Sequence, residues 1–201
     1  MPPQRSKTVE ALLAGAERAF VERGFHGASI GYICQCAGRT TGAFYSNYDS
    51  KLQLFLAVFR RQSDRTVERV EQGLAAVDTG RDPAPQLARL FTEIADRALD
   101  DRWLFLNIEF RLMAIRDKEA AAALTEHEEQ FNRRVGTPLE ALLRRSGRPP
   151  ALSGEELAAF LGATIRGIRL DRGFRANTGG RDPLPFATME RALEGLFTAR
   201  E

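Results

Sequence analysis

The chain has 201 residues, 43% of them hydrophobic and 28% charged, the make-up of an ordinary globular protein of one domain or two small ones. Its 29 basic and 27 acidic side chains leave a net charge of +2, so bulk charge alone points to no polyanionic partner. No apolar run approaches the ~18 residues of a membrane span, and Met1-Pro-Pro-Gln-Arg-Ser-Lys7 has no apolar signal core, so a cytoplasmic protein without membrane contact is expected.

The first apolar stripe, Val9, Leu12, Leu13, Ala16, Ala19 and Phe20, has helical spacing and stops at Gly24. Ile30, Ile33, Cys34 and Ala37 then fall at i, i+3, i+4 and i+7, a short helix with one buried face. Gly38 can take a left-handed conformation and end that helix abruptly. Thr40 or Thr41 can cap the next helix by accepting a bond from an orphan backbone N–H. That second helix carries Phe44 toward the core and leaves Thr40, Thr41, Gly42, Tyr45 and Asn47 for another surface. Two short helices around a tight turn predict a helix-turn-helix, and small polar side chains on the second suit close approach to a groove. Cys34 and Cys36, the two cysteines, point about 200° apart on one helix and match neither a redox nor a zinc-ligand spacing.

Phe55, Val58, Phe59, Gln62, Thr66, Val70 and Leu74 mark a long connecting helix that ends before the break at 78–85. Leu87, Leu90, Phe91, Ile94 and Ala98 line the next helix, which starts near Pro85. The segment from Trp103 to Arg116 is apolar on nearly all sides and is expected to be buried. Lys118 to about Arg145 is long and charged outside, with Gly136 and Pro138 expected to kink or interrupt it. After the break at 147–150, Ser153 and Glu156 have capping-box spacing ahead of Leu157, Phe160, Leu161, Thr164, Ile165 and Ile168. A loop is expected over 176–185, then a last helix with Phe186, Met189, Leu193, Leu196 and Phe197. Nothing alternates in the manner of a strand, so the fold class is all-α, with about nine helices. Through Arg61 there are eight basic and four acidic residues, a net +4, whereas the remaining 21 and 23 give −2. A mildly basic head on a slightly acidic body fits a DNA-binding end.

Residues 5–60 resemble the DNA-binding domain of the TetR family of bacterial transcriptional regulators. The resemblance lies in Ala19-Phe20-Val21-Glu22-Arg23-Gly24-Phe25, Ser29, Ile33-Cys34, Ala37-Gly38, Arg39-Thr40, Gly42, Phe44-Tyr45, Tyr48 and Ser50-Lys51. Cys34, Arg39 and Leu52 depart from the Ala, Val and Glu usual there, and Arg39 sets a cation at the turn. The family implies a helix-turn-helix domain, here 1–52, and a helical effector-binding and dimerisation domain, here 53–201.

By this resemblance Ser29, Tyr45, Tyr48 and Lys51 touch phosphates, while Thr40, Thr41, Gly42 and Asn47 meet base edges. Arg39 can take a guanine or a phosphate, and Arg5 and Lys7 can form an arm to the backbone or minor groove. The family binds a small molecule among its C-terminal helices. Apolar candidates for that site are Phe91, Ile94, Trp103, Leu106, Phe110 and Met113, with Phe131, Phe160 and Ile165. Asn107, Glu109, Arg166 and Arg169 are candidate polar anchors. The family also pairs its last two helices with a second copy, which nominates Leu157, Leu161, Thr164 and Ile168 with Met189, Leu193 and Phe197. The reading is a homodimeric, ligand-released repressor on palindromic operator DNA. The alternatives are a ligand-binding protein of the same fold that has lost DNA binding and a small all-α enzyme. His26 and His127 have no metal-ligand spacing and no nucleophile or phosphate-loop motif occurs, so neither enzyme chemistry nor a cofactor or metal is expected.

Overall fold

The computed structural model describes residues 3–97, 101–147, 150–179 and 186–197, and the regular elements among them are all helices. In chain order these are α1 (Pro3–Gly27), α2 (Ile30–Ala37), α3 (Thr41–Tyr45), α4 (Lys51–Ala75), α5 (Pro83–Arg97), α6 (Asp101–Ala114), α7 (Lys118–Arg145), α8 (Gly154–Thr178) and α9 (Phe186–Phe197). Ala98, most of the 176–185 loop and the middle of the 147–150 break lie outside the described residues.

Several boundaries move for local reasons. Helix α5 begins at Pro83 because the Asp82 carboxylate accepts the Ala84 N–H at 2.9 Å; prolines in a first turn lack only an N–H that has no helical partner. Helix α7 runs through Pro138 without interruption, its buried Val135, Leu139 and Leu142 offsetting one lost backbone bond. Helix α8 reaches Thr178, beyond the expected start of the loop, and ends where Gly179 adopts φ 65 and donates to the Arg175 carbonyl. At its other end Ser153 and Glu156 form the expected capping box.

The chain forms two compact units. The first comprises Met1–Ser63 and Phe105–Thr125, the second Asp64–Leu104 and Glu126–Glu201. In the first, Phe55 is the hub of the core: its ring lies 5.2 Å from Phe20, 5.1 Å from Phe25 and 5.1 Å from Phe110. Each such ring contributes roughly 1.5–3 kcal/mol by leaving water. Helix α2 sits against α1 at Gly15, where a Cβ would come within 2.6 Å of the Ala37 backbone. In the second unit Val67, Leu87, Phe91, Leu139, Leu161 and Leu193, from five helices, share one core. Gly136 and Gly154 let α7 and the start of α8 touch; a Cβ on Gly136 would stand 2.2 Å from the Gly154 carbonyl.

Candidate nucleic-acid interface

The turn between α2 and α3 is built as its residue types require. Ser29 caps α2, its hydroxyl accepting the Tyr32 N–H at 3.2 Å. Gly38 takes φ 61, ψ 39, a left-handed cap that returns N–H groups to the Cys34 and Gln35 carbonyls. Thr40 caps α3 by accepting the Ala43 N–H at 3.2 Å. The buried Cys34 thiol donates to the Thr40 carbonyl at 3.6 Å, and burial pushes that thiol's pKa up. Phe44 is fully buried and anchors the five-residue α3 from below.

Above that anchor Arg39, Thr40, Thr41, Gly42 and Tyr45 are all exposed, Tyr45 by 60%. These five expose small hydroxyls, one aromatic ring and one cation, and Ser29 is exposed at the start of α2. The Arg39 guanidinium donates to the Gly38 carbonyl at 3.0 Å and stays at the surface. Gly42 has open space around it: a Cβ would meet only Thr40 Oγ1, at an ordinary 3.7 Å.

Three other candidates sit differently. Tyr48 is buried, its ring 6.1 Å from Phe44, and burial raises its phenol's pKa. Asn47 is half-buried and uses both ends of its amide inside the unit, on Ala43 and Arg5. Lys51 directs its ammonium at the carbonyls of Phe25 (2.6 Å), Ala28 (3.1 Å) and His26 (3.4 Å), with Nζ 4.6 Å from the Phe25 ring centre. Burial lowers its pKa, and the nearby Glu109 carboxylate opposes that shift. Glu109 of α6 accepts the Phe25 and His26 N–H groups at 3.0 and 3.4 Å and so supports the α1–α2 turn. No local pattern announces that contact, which spans 84 residues. Beside it, the Arg23 guanidinium lies 3.3 Å over the Tyr32 ring. The Tyr32 hydroxyl donates to Glu22 at 2.6 Å, and its pKa is pushed up to about 12, chiefly by that bond.

The residues nominated for a ligand divide between the units. Phe91, Ile94 and Trp103 are buried in the second, where Phe131 and Ile165 are half-buried. Leu106 and Phe110 are buried in the first, Phe110 against Phe55 and Phe59, and Met113 there is half-buried. Phe160 is 49% exposed. Arg169 is buried and donates to the Ala95 and Asp96 carbonyls, closing the end of α5.

Of the residues nominated for pairing, Leu157, Leu161, Met189, Leu193 and Phe197 are only 2–3% exposed in the single chain and belong to the core of the second unit. Thr164 and Ile168 are half-buried. The outer face of α8 instead carries exposed Phe160, Ala163, Gly167 and Phe174, and that of α9 Ala192, Gly195 and Leu196. Both helices are apolar on two faces, and periodicity alone does not say which looks inward.

Residues 12–58 match the family model described as bacterial regulatory proteins, tetR family. The HTH-type transcriptional repressor AcnR of Corynebacterium efficiens is 28% identical over 127 residues, 63% of this chain and 61% of AcnR. The HTH-type transcriptional activator FasR of Mycolicibacterium smegmatis is 39% identical over 70 residues, 35% of this chain and 32% of FasR. The matched part of the chain thus spans less than two thirds of either relative. Among solved structures, SCO7518 of Streptomyces coelicolor A3(2) superposes with TM-score 0.70 at 25% identity, covering 98% of this chain and all of that one. FadR of Bacillus subtilis, solved in complex with stearoyl-CoA, has the same fold, with TM-score 0.67 at 15% identity and coverage of 94% of this chain and 96% of that one.

Proposed function

We propose that the chain, whose residues 12–58 match the tetR family of bacterial regulatory proteins, is a DNA-binding transcriptional repressor, acting in the cytoplasm as a homodimer and released from a palindromic operator by a small molecule. The observation that carries the reading is the bare, polar, outward face of α3 standing on the buried Phe44. A helix entering the major groove needs small side chains where its backbone comes closest, and Thr40, Thr41 and Gly42 supply them. Thr41 and Gly42 lie against base edges; Ser29, Arg39 and Tyr45 hold phosphates on either side. Tyr48 and Lys51 keep the phosphate roles the family gives them only at their margins, since their main contacts are internal. Their larger part is to hold α3 and the α1–α2 turn in place.

Two such helices must be spaced to meet one duplex, about 34 Å apart for half-sites one turn apart. The outer faces of α8 and α9 suit that pairing, because Phe160, Phe174 and Leu196 leave large apolar side chains in water. An effector in the second unit acts by binding the non-competent spacing more tightly than the competent one, and shifts operator affinity by that difference alone. The Phe91, Trp103 and Phe131 side chains favour an apolar or aromatic effector, and FadR, of like fold, holds a fatty acyl thioester. A mobility-shift titration with duplex DNA at several salt concentrations tests the reading. Binding whose logarithm falls steeply with the logarithm of salt supports it, and its absence at low salt excludes it.

A further inference from the structure

We infer that Arg5 is a further DNA-contacting residue, a phosphate clamp held against the end of α3 by Asn47; this rests on the reading that α3 enters the groove. Arg5 Nε donates to Asn47 Oδ1 at 3.3 Å across 42 residues of sequence. The other end of the same amide, Nδ2, donates to the Ala43 carbonyl at 2.8 Å, one turn back along the chain. One lone pair of the Asn47 oxygen and one N–H of its amide are thus taken up inside the unit, which fixes the orientation of the side chain. Asn47 is therefore a positioning residue whose work is to aim Arg5.

The guanidinium has five N–H donors in a rigid plane. With Nε on Asn47, the Nη1 and Nη2 pair faces away, and neither makes a hydrogen bond among the described residues. That end-on pair matches two oxygens of a phosphate. The local field favours an anion as well. Helix α1 has no acidic residue in its first turn, where Arg5 lies exposed at the positive end of the helix dipole, with exposed Lys7 directly after it. A recognition helix meets bases through its N-terminal residues, and Arg5 meets α3 just past its C-terminal end, which places the clamp at the groove wall.

The test is a double-substitution cycle on the full chain. The duplex is one selected with the wild-type protein from a random pool, with a random-sequence duplex alongside, each titrated by fluorescence anisotropy over a range of salt. Arg5→Ala is expected to weaken binding roughly tenfold on both duplexes and to make the salt slope shallower by about one. Asn47→Ala is expected to lose much of the same, and the double variant no more than Arg5→Ala alone. Arg5→Lys should restore the slope without restoring the coupling to Asn47, a result that a merely structural role for Arg5 does not give. Losses that multiply in the double variant, an unchanged slope for Arg5→Ala, or a change of sequence preference in place of a uniform loss each overturn the inference. Wild-type protein that binds no duplex overturns the regulator reading and this inference together, whereas normal wild-type binding with an inert Arg5→Ala overturns this inference alone. Thermal midpoints of all variants identify any loss that comes from unfolding.

Discussion

The Phe25 amide donates to the Glu109 carboxylate at 3.0 Å, while the Phe25 carbonyl accepts from Lys51 at 2.6 Å. One peptide segment is thus gripped at both poles, a carboxylate on its N–H groups and an ammonium on its carbonyls. Gly24 makes this possible, with φ 70 and room for the carboxylate where a Cβ would lie 2.9 Å from Glu109 Oε2.

Glu109→Ala is therefore expected to lower stability by about 1–3 kcal/mol, the cost of orphaned, part-buried amides. Glu109→Gln should recover part of it, because an amide oxygen still accepts. Urea denaturation of the three proteins checks this, and equal midpoints for wild type and Glu109→Ala contradict it.

Gly42→Ala separates fold from function. The position is helical and open, so alanine should leave stability unchanged or raise it by up to ~1 kcal/mol. In the proposed docking the added methyl group faces the groove, and DNA affinity should fall. Thermal melts and anisotropy titrations on one preparation read both effects; an unaltered affinity means that the backbone of α3 does not come close to DNA there.

The two faces of α8 should answer differently to substitution. Leu161→Ala opens a cavity in the second unit and is expected to cost 2–5 kcal/mol, as is usual for a buried leucine. Phe160→Glu, on the outer face, should leave the fold intact and turn a dimer into a monomer. Sedimentation equilibrium measures the second outcome, and a Phe160→Glu protein that remains dimeric assigns the pairing to another surface.

Acid should loosen the start of α8. The Glu140 carboxylate accepts the Gly154 N–H and then Arg144, and Glu156 accepts the Ser153 hydroxyl and N–H; both are held below the usual carboxylate range. A carboxylate with a depressed folded pKa stabilises above its unfolded pKa, about 4.3 for glutamate, and loses that contribution as pH falls through the folded value. Stability measured from pH 6 downward should drop in this range, and the Glu140→Gln, Glu156→Gln double variant should show a flatter acid limb. Identical pH profiles for the two proteins contradict the assignment.

The capping box, the Gly38 turn and the inward Phe44 were legible in the sequence because each is set by residues within about four positions of one another. The α3 surface followed from them. The grip on the Phe25 turn was not legible, since Glu109 and Lys51 reach it from distant helices and nothing in the local pattern marks a carboxylate as a cap for a remote turn. The Arg5–Asn47 bond was not legible for the same reason, because the two residues lie 42 positions apart. Which face of α8 is buried was not legible, because Leu157-Leu161 and Phe160-Ala163-Gly167 are equally good helical stripes, and only packing within the second unit chooses between them.

The most direct test of the central claim is a selection of duplex DNA from a random pool by the purified protein. The α3 reading predicts enrichment of inverted repeats whose half-site centres are separated by whole turns, about 10 base pairs or a multiple, and loss of that enrichment with Thr41→Val. A pool that stays random, or enriched sequences with no two-fold symmetry, contradicts it.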